Sequence, residues 1–225
     1  MSGIVLIALL ASWWRLSSRS FREAYLDVYL LSLFLLPGWC RFIVPGLPDP
    51  TFQEAAILPI AVAFFLGKRK PWQYSVTDGL VIVFAAVIGC SEYVNAGYKE
   101  AQNLMFDMLV GAILPYLLAK GIVEPYGLRV KVIRRIVWLL AIVTVFFVYE
   151  FKFAYSPFRL IFDRFFPGQG DGWVTTFRYG LARTAGPFGH AILAGIVFLI
   201  GFLLQRWLQS SRVDRKSTRL NSSHT

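Results

Sequence analysis

This sequence is short of charge and of cysteine. Charged residues are 16% of its 225 residues, against roughly 25% in a soluble domain. Low charge beside abundant bulky apolar residues excludes an intrinsically disordered chain. Its two cysteines, Cys40 and Cys90, are too few for a disulfide scaffold and stand in no CxxC or Cys/His pattern that would bind a metal. We expect two buried free thiols, with a disulfide between them as the alternative.

Apolar residues take the place of the missing charge. Hydrophobic residues make up 56% of the chain, and a soluble globule of this length has no interior large enough to bury them. The composition therefore argues against a water-soluble enzyme and predicts an integral membrane protein.

Apolar runs locate the expected spans. The first and third are short for a hydrocarbon core of about 30 Å, and we expect them to be tilted back, re-entrant or incomplete, whereas the others are long enough to cross. The predicted fold class is an all-α integral membrane protein with about seven transmembrane helices. The runs cover residues 3–14, 24–44, 51–67, 79–98, 104–123, 133–151 and 187–204.

Basic residues predict the orientation of the spans. Most of the 23 lysines and arginines fall in alternate loops and span ends, which face the cytoplasm under the positive-inside rule. The net charge of +10 therefore reports membrane orientation, and no nucleic-acid partner is expected. The chain is therefore predicted to cross a membrane several times.

One outer segment breaks this rule, because it carries Lys152, Arg159, Arg164, Arg178 and Arg183 on the side opposite to the basic loops. A membrane protein that keeps so much positive charge there has a use for it.

The first half of this segment, residues 157–166, is mostly apolar. Arg159 and Asp163 stand four residues apart in it, which predicts a helix lying in the membrane interface with an i,i+4 ion pair. For Arg159 and Arg164 we expect an anchoring role without chemistry.

The second half combines glycines with Arg178 and Arg183. Arginine binds phosphate oxygens through two N–H groups, and the N-terminus of a helix adds amide donors. The pattern fits an anionic group held at the outer surface, and contact with lipid headgroups is the alternative. Trp173 in this loop is a candidate for stacking on a sugar.

Polar residues at the outer ends of spans are further candidates. Asp107 is the deepest and would orient an arginine or contact a sugar, since charge at membrane depth is costly and often functional. Glu92 and Glu150 are expected at the interface without a role. His190, near Arg183, is a weak candidate for a base, and a polar residue that hydrogen-bonds the start of a helix is the alternative.

Residues 178–204, above all RTAGPFGHAILAGIVFLIG, resemble the start of the core region in the O-antigen ligase and O-antigen polymerase superfamily. Members carry an arginine, a short Gly-Pro-Phe-Gly-like turn ending in His or Asn, and then an apolar helix. These positions correspond here to Arg183, to residues 186–190 and to the helix from Ala191. Ala191 stands where relatives commonly have proline.

The resemblance implies a glycosyltransferase that crosses the bacterial inner membrane several times and acts on its periplasmic face. Its donor would be a saccharide on undecaprenyl pyrophosphate. The acceptor hydroxyl would lie on lipid A–core in a ligase, or on a second lipid-linked glycan in a polymerase. Arg183 first, and Arg178 second, would hold the pyrophosphate. No DxD pair is present, so neither a metal nor another cofactor is expected. The superfamily's catalytic histidine lies later in the chain, and His190 does not inherit that role.

Two alternatives to a ligase stay open. One is another enzyme of the same superfamily, either an O-antigen or exopolysaccharide polymerase or an enzyme that transfers glycans to protein. The other is a non-enzymatic transporter or scaffold, although transporters typically carry repeat symmetry and charges at mid-membrane, and this sequence has no internal repeat.

The C-terminal residues differ in character from the rest. Residues 214–224, DRKSTRLNSSH, are interpreted as a translated sequencing-library adapter, with a disordered polar C-terminus as the alternative. The native gene is then expected to continue beyond about Val213, so that the chain is a fragment of a larger multi-span bundle. The expected divisions are N-terminal transmembrane helices in 1–152, a periplasmic loop with the interfacial helix in 153–186, the start of the ligase core in 187–213, and a non-native tail in 214–225.

Overall fold

The computed structural model describes residues 2–43, 46–67, 70–169 and 177–222, with side chains described between residues 3 and 211 except at 99 and 100. The fold is mostly helical. Its α-helices are α1 Leu6–Ser18, α2 Phe21–Ala24, α3 Leu30–Leu35, α4 Phe52–Leu66, α5 Val76–Ala96, α6 Tyr98–Phe106, α7 Leu114–Ile122, α8 Arg129–Phe153, α9 Pro157–Phe162 and α10 Ala191–Ser222.

Several short elements interrupt or join these helices. Wide π-helical turns join α2 to α3 and α6 to α7, at Tyr25–Tyr29 and Asp107–Ile113. Tight 3-10 turns occur at Ser2–Val5 and Gly186–Phe188. Strands β1 Phe177–Arg178 and β2 Leu181–Ala182 form a small antiparallel hairpin, which is the one departure from the predicted all-α class in the described chain.

Four helical segments are long and apolar enough to cross a membrane: Val76–Ala96, Ala101–Ile122, Arg129–Phe153 and Ala191–Ser211. A helix rises 1.5 Å per residue, so about 20 residues match a hydrocarbon core of about 30 Å. The class predicted from composition, a membrane protein built from apolar helices, is confirmed by these segments, which coincide with the last four predicted runs.

The first three runs form shorter helices. Helix α1 has 13 residues and α4 has 15, in line with the shortness expected of both runs. The second run differs from its prediction, because its helical part ends at Leu35 and Leu36 has extended backbone angles. The reason is Pro37, which disfavours helical geometry in the residue before it and supplies no N–H. The total of about seven spans stays a prediction.

Helix α4 lies at the centre of the core. Its side chains Ile57, Ile60 and Phe64 are essentially inaccessible to solvent, and Ser12 of α1 donates a 2.7 Å hydrogen bond to the carbonyl of Ala56. A helix that is apolar on all sides is expected to be enclosed by its neighbours. The core therefore forms around α4.

Gly121 of α7 allows the close packing of α4 and α7, because a Cβ at this position would overlap the ring of Phe64. Gly121→Ala is expected to lower the free energy of unfolding by about 1–3 kcal/mol, the usual cost of overpacking. Denaturation in mixed micelles with increasing dodecyl sulfate measures this change. Gly195→Ala in α10 is the control, because no atom lies within 4 Å of its added Cβ and alanine favours helix by about 0.5–1 kcal/mol. Equal effects of the two substitutions would contradict the packing explanation.

Residues that the charge pattern assigns to one side of the membrane meet at one end of the bundle. Asp27 accepts Arg15 at 2.5 Å and also pairs with Arg135, while Lys120 pairs with Asp78 at 2.6 Å. We call this the basic end. The opposite end carries the ion pair between Arg41 and Asp107 and the carboxylate of Glu150, which binds backbone N–H groups.

The two cysteines are free thiols, as expected. Cys40 is buried, but the prediction of burial is wrong for Cys90, which is exposed on α5. Helix α5 is buried along only a small part of its length, so apolar side chains on it face outward, where a bilayer would contact them.

The last helix extends farther than the apolar run that predicted it. Helix α10 begins at Ala191, as the resemblance implied, and its backbone stays helical to Ser222. The backbone of residues 214–222 is therefore helical, which differs from a disordered tail.

Candidate functional site

A buried carboxylate holds the loop that precedes α10. The side chain of Glu150, near the end of α8, is fully buried. It accepts backbone N–H groups from Ala185 at 3.2 Å and from Gly186 at 2.9 Å. A buried carboxylate is tolerated when its oxygens are hydrogen-bonded. Glu150 was expected at the interface without a function, and the structure gives it a structural role, because its carboxylate fixes the turn that follows Arg183.

Glycine is required at position 186 by conformation and by space. Gly186 has φ of +56°, which L side chains rarely adopt, and a Cβ there would lie 2.6 Å from Cε1 of Phe147. The following Phe188 packs edge-on against Phe34 of α3, with ring centroids 6.5 Å apart. The turn is therefore held between α3 and α8.

The two arginines predicted to bind an anion lie on or beside the β-hairpin. Arg178 is exposed on β1, with its guanidinium carbon 5.6 Å from the ring centre of Tyr179. Arg183 follows β2 and is half-buried. Within the described part of the chain, neither arginine has an acidic partner. Trp173 lies outside the described residues.

His190 is placed at the start of α10. Its exposed imidazole accepts the backbone N–H of Ile192 through Nδ1 at 3.2 Å. This contact is the one expected of a polar residue that hydrogen-bonds the beginning of a helix. A role as a base stays a prediction that the geometry does not favour.

Asp107 holds an arginine, as one of its predicted roles requires. Its two carboxylate oxygens accept both terminal nitrogens of Arg41, at 3.0 and 2.8 Å, which is the bidentate geometry that makes arginine pairs strong. The π-helical turn begins at Asp107, and such turns are frequent at functional sites. Arg41 also donates to the carbonyl of Asp49 at 3.1 Å.

The backbone of Arg41 is fixed by the outer segment. Its N–H donates to Oε1 of Gln169 at 2.7 Å, and Nε2 of Gln169 donates to its carbonyl at 3.1 Å. Arg41 also forms an isolated antiparallel bridge with Thr51. Gln169 thereby contacts the backbone of the residue that pairs with Asp107.

A second buried acid lies beneath this pair. Glu54 of α4 is buried and forms a capping box, in which it accepts the backbone N–H of Thr51 at 2.7 Å and the Thr51 hydroxyl at 2.9 Å. A Cβ at Gly111, in the π-helical turn, would lie 3.2 Å from Oε1 of Glu54. Glycine at this position lets the turn approach the acid closely.

Residues Pro157–Phe162 form the helix predicted from their sequence, α9. Arg159 and Asp163 form the expected i,i+4 ion pair at 3.3 Å. Phe158 is buried against Phe146, with centroids 5.1 Å apart. Leu160 is 63% exposed, so the helix presents one apolar side to the protein and another outward.

The structure brings together predicted residues and residues that the sequence did not single out. Arg183 and His190 lie on either side of the turn held by Glu150, whereas Asp107 belongs to a separate pair with Arg41. Glu54 and Gln169 were missed. The capping-box pattern Thr-x-x-Glu signals Glu54, but no sequence signal marks Gln169, whose partner is backbone.

Over the described residues, no three side chains of His, Cys, Asp or Glu are arranged to hold a metal ion. Arg178 and Arg183 stay the predicted groups for an anionic ligand at this end.

No family model, curated protein or solved structure matches this chain. The functional conclusion therefore depends on the residues of the chain and on the resemblance of residues 178–204.

Proposed function

We propose that this protein is a membrane glycosyltransferase of surface polysaccharide biosynthesis, which moves a saccharide from undecaprenyl pyrophosphate to an acceptor hydroxyl on lipid A–core. The observation that carries this proposal is Arg183, a half-buried cation without an acidic partner in the described chain, beside a turn that buried Glu150 holds in place. The resemblance of residues 178–204 supplies the reaction.

Transfer of the saccharide leaves negative charge on the departing pyrophosphate. Fixed donors near that charge stabilise the transition state most when they need no rearrangement. The backbone next to Arg183 meets part of this requirement, because the following residues, Ala185 and Gly186, are bound to Glu150. Arg178, exposed on the hairpin, adds a second cation for the same phosphates.

The acceptor hydroxyl has to be positioned near the reacting carbon. Both oxygens of Asp107 accept hydrogen bonds from Arg41. Asp107 therefore supports this step by orienting Arg41, without contacting the hydroxyl itself. Arg41 is in turn joined to the outer segment through Gln169. The Arg41–Asp107 pair therefore stabilises the structure around the site. The active face is proposed to be periplasmic.

Arg183→Ala in the native full-length gene tests the proposal. Loss of hydrogen bonds to a charged group, worth about 1.5–3 kcal/mol, predicts transfer reduced by about 10–100-fold. Arg183→Lys keeps the charge without the two-pronged geometry and is expected to be intermediate. The measurement is the amount of polymer joined to lipid A–core in cells that express each variant at equal level.

Arg164→Ala is the matched control, since Arg164 is an exposed cation of the same outer segment. It is expected to keep normal transfer. Normal attachment with Arg183→Ala would reject the proposal. A change in the length of lipid-linked polymer, with attachment intact, would instead favour the polymerase alternative.

A further inference from the structure

The basic end carries a stripe of cations beside a tryptophan on one face of α8. Lys131, Arg134, Arg135 and Trp138 follow the spacing i, i+3, i+4, i+7, which places them together on a helix. Each of these residues is exposed, and Trp138 is 66% exposed. This stripe lies far from the site at the opposite end.

Two cavities flank the stripe and share Arg134 and Trp138 as a common wall. One, of about 280 Å³, has Leu26, Asp27, Lys131, Arg134, Arg135 and Trp138 in its lining. The other, of about 300 Å³, lies between α8 and α10 and is lined by Arg134, Val137, Trp138, Ala141, Gln205, Leu208 and Gln209. Together they make a groove that begins among cations and continues between two apolar helices.

The positive charge of this groove is only partly balanced. Asp27 is its one lining acid, and Asp27 already pairs with Arg15 and Arg135. Lys131 and Arg134 have no acidic partner in the part of the chain that the structure describes. The groove is therefore complementary to an anion.

The floor of the groove is apolar. Val137, Ala141 and Leu208 line the part between the helices, and closer packing of α8 on α10 occurs at Gly201, where a Cβ would overlap Leu140. An anion that is also amphipathic satisfies both parts of such a groove, whereas a soluble anion leaves the apolar part without a partner. Basic pockets between membrane helices bind anionic lipid headgroups for this reason.

We propose that this groove binds an anionic phospholipid of the adjacent leaflet. Its phosphate lies between Arg134 and Lys131, its glycerol region lies against Trp138, and one acyl chain follows the channel between α8 and α10. Tryptophan favours this interfacial depth because its ring is apolar and its N–H is polar. The site is independent of the proposed saccharide transfer.

Lipid binding is tested with the purified full-length protein in nanodiscs of phosphatidylcholine with and without phosphatidylglycerol. Native mass spectrometry counts retained lipid, and thermal unfolding reports stabilisation. We expect phosphatidylglycerol to be retained at least about tenfold better than phosphatidylcholine. Both lipids carry a phosphate, but the choline cation cancels its charge and is repelled by Lys131 and Arg134. The double variant Lys131→Gln, Arg134→Gln is expected to lose this preference while unfolding normally in phosphatidylcholine.

Arg206→Gln is the matched control, because Arg206 is exposed on α10 and lines neither cavity. It is expected to keep the lipid preference. Equal retention of phosphatidylglycerol by the double variant and the wild type would overturn the proposal. Displacement of the lipid by glycerol 3-phosphate at equal concentration would also overturn it, because the ligand would then be a soluble phosphate.

Acyl-chain contact is tested separately with brominated phosphatidylglycerol, which quenches nearby tryptophan. Wild-type protein is expected to lose more fluorescence than Trp138→Phe. When both proteins also carry Lys131→Gln and Arg134→Gln, we expect them to be quenched equally. Identical quenching of wild type and Trp138→Phe would contradict the proposed position of the chain.

Discussion

Replacement of Glu150 with alanine is expected to stop saccharide transfer and to lower the free energy of unfolding by about 2–6 kcal/mol. Each buried donor that loses its acceptor costs about 1–3 kcal/mol, and this substitution releases two, the N–H groups of Ala185 and Gly186. The turn would then lose its attachment to α8. Arg183 would lose its fixed position, and with it the preorganisation on which its effect on the reaction depends.

Glu150→Gln tests whether the size of the side chain or its number of hydrogen-bond acceptors holds the turn. Glutamine has nearly the same size but only one oxygen, so it accepts one of the two N–H groups and turns an amide donor toward the other. An intermediate loss of stability is therefore expected. Dodecyl sulfate denaturation measures stability, and polymer joined to lipid A–core measures transfer in the same variants.

Glu124→Ala is the control for removing a glutamate from this bundle. Glu124 is 58% exposed and pairs with Arg129, and exposed pairs contribute about 0–1 kcal/mol. Transfer and stability close to wild type in Glu150→Ala would contradict the role assigned to Glu150, whereas loss in Glu150→Ala alone would support it.

Hydropathy and charge predicted the part of the fold that depends on composition. The four apolar helices coincide with predicted runs, because an apolar run of this length identifies a membrane helix without knowledge of its neighbours. The end of the helix at Leu35 was missed although Pro37 was visible, since a proline inside an apolar run ends a helix in some settings and is tolerated in others.

The candidate site was predictable only where a charge stands out against an apolar background. Asp107 was identified in this way, whereas the sequence does not show that its partner is Arg41, which lies 66 positions away. Glu150 was visible too, but its partners are backbone N–H groups, which carry no sequence signature. The contact of Gln169 with Arg41 joins residues 128 positions apart, and no local pattern predicts such a contact.

Removal of the Asp107 carboxylate is expected to lower the free energy of unfolding by about 1–3 kcal/mol in Asp107→Leu. Exposed ion pairs contribute about 0–1 kcal/mol and loss of one partner of a buried pair costs about 3–5 kcal/mol. The side chains of Arg41 and Asp107 are 35% and 26% exposed, which places this pair between the two cases. Arg41→Met is expected to cost more, because the Asp107 carboxylate left behind is the less exposed of the two charges. In Asp107→Leu, by contrast, Arg41 keeps its hydrogen bond to the carbonyl of Asp49.

The double variant Arg41→Met, Asp107→Leu is expected to recover stability relative to Asp107→Leu, since an apolar pair leaves no charge without a partner. Denaturation of the two single variants and the double variant gives the coupling energy of the pair. Additive losses would contradict the pairing.

Asp107→Asn then distinguishes a structural role, in which Asp107 orients Arg41, from a role as a general base. Asparagine keeps the size of the side chain and one oxygen that accepts from Arg41, but it cannot take up a proton at neutral pH. If Asp107 orients Arg41, transfer falls by no more than about tenfold, the effect of weakening one charged hydrogen bond. We expect this result, because both oxygens of Asp107 are engaged by Arg41. Complete loss of transfer with normal stability would instead assign Asp107 to proton transfer from the acceptor hydroxyl.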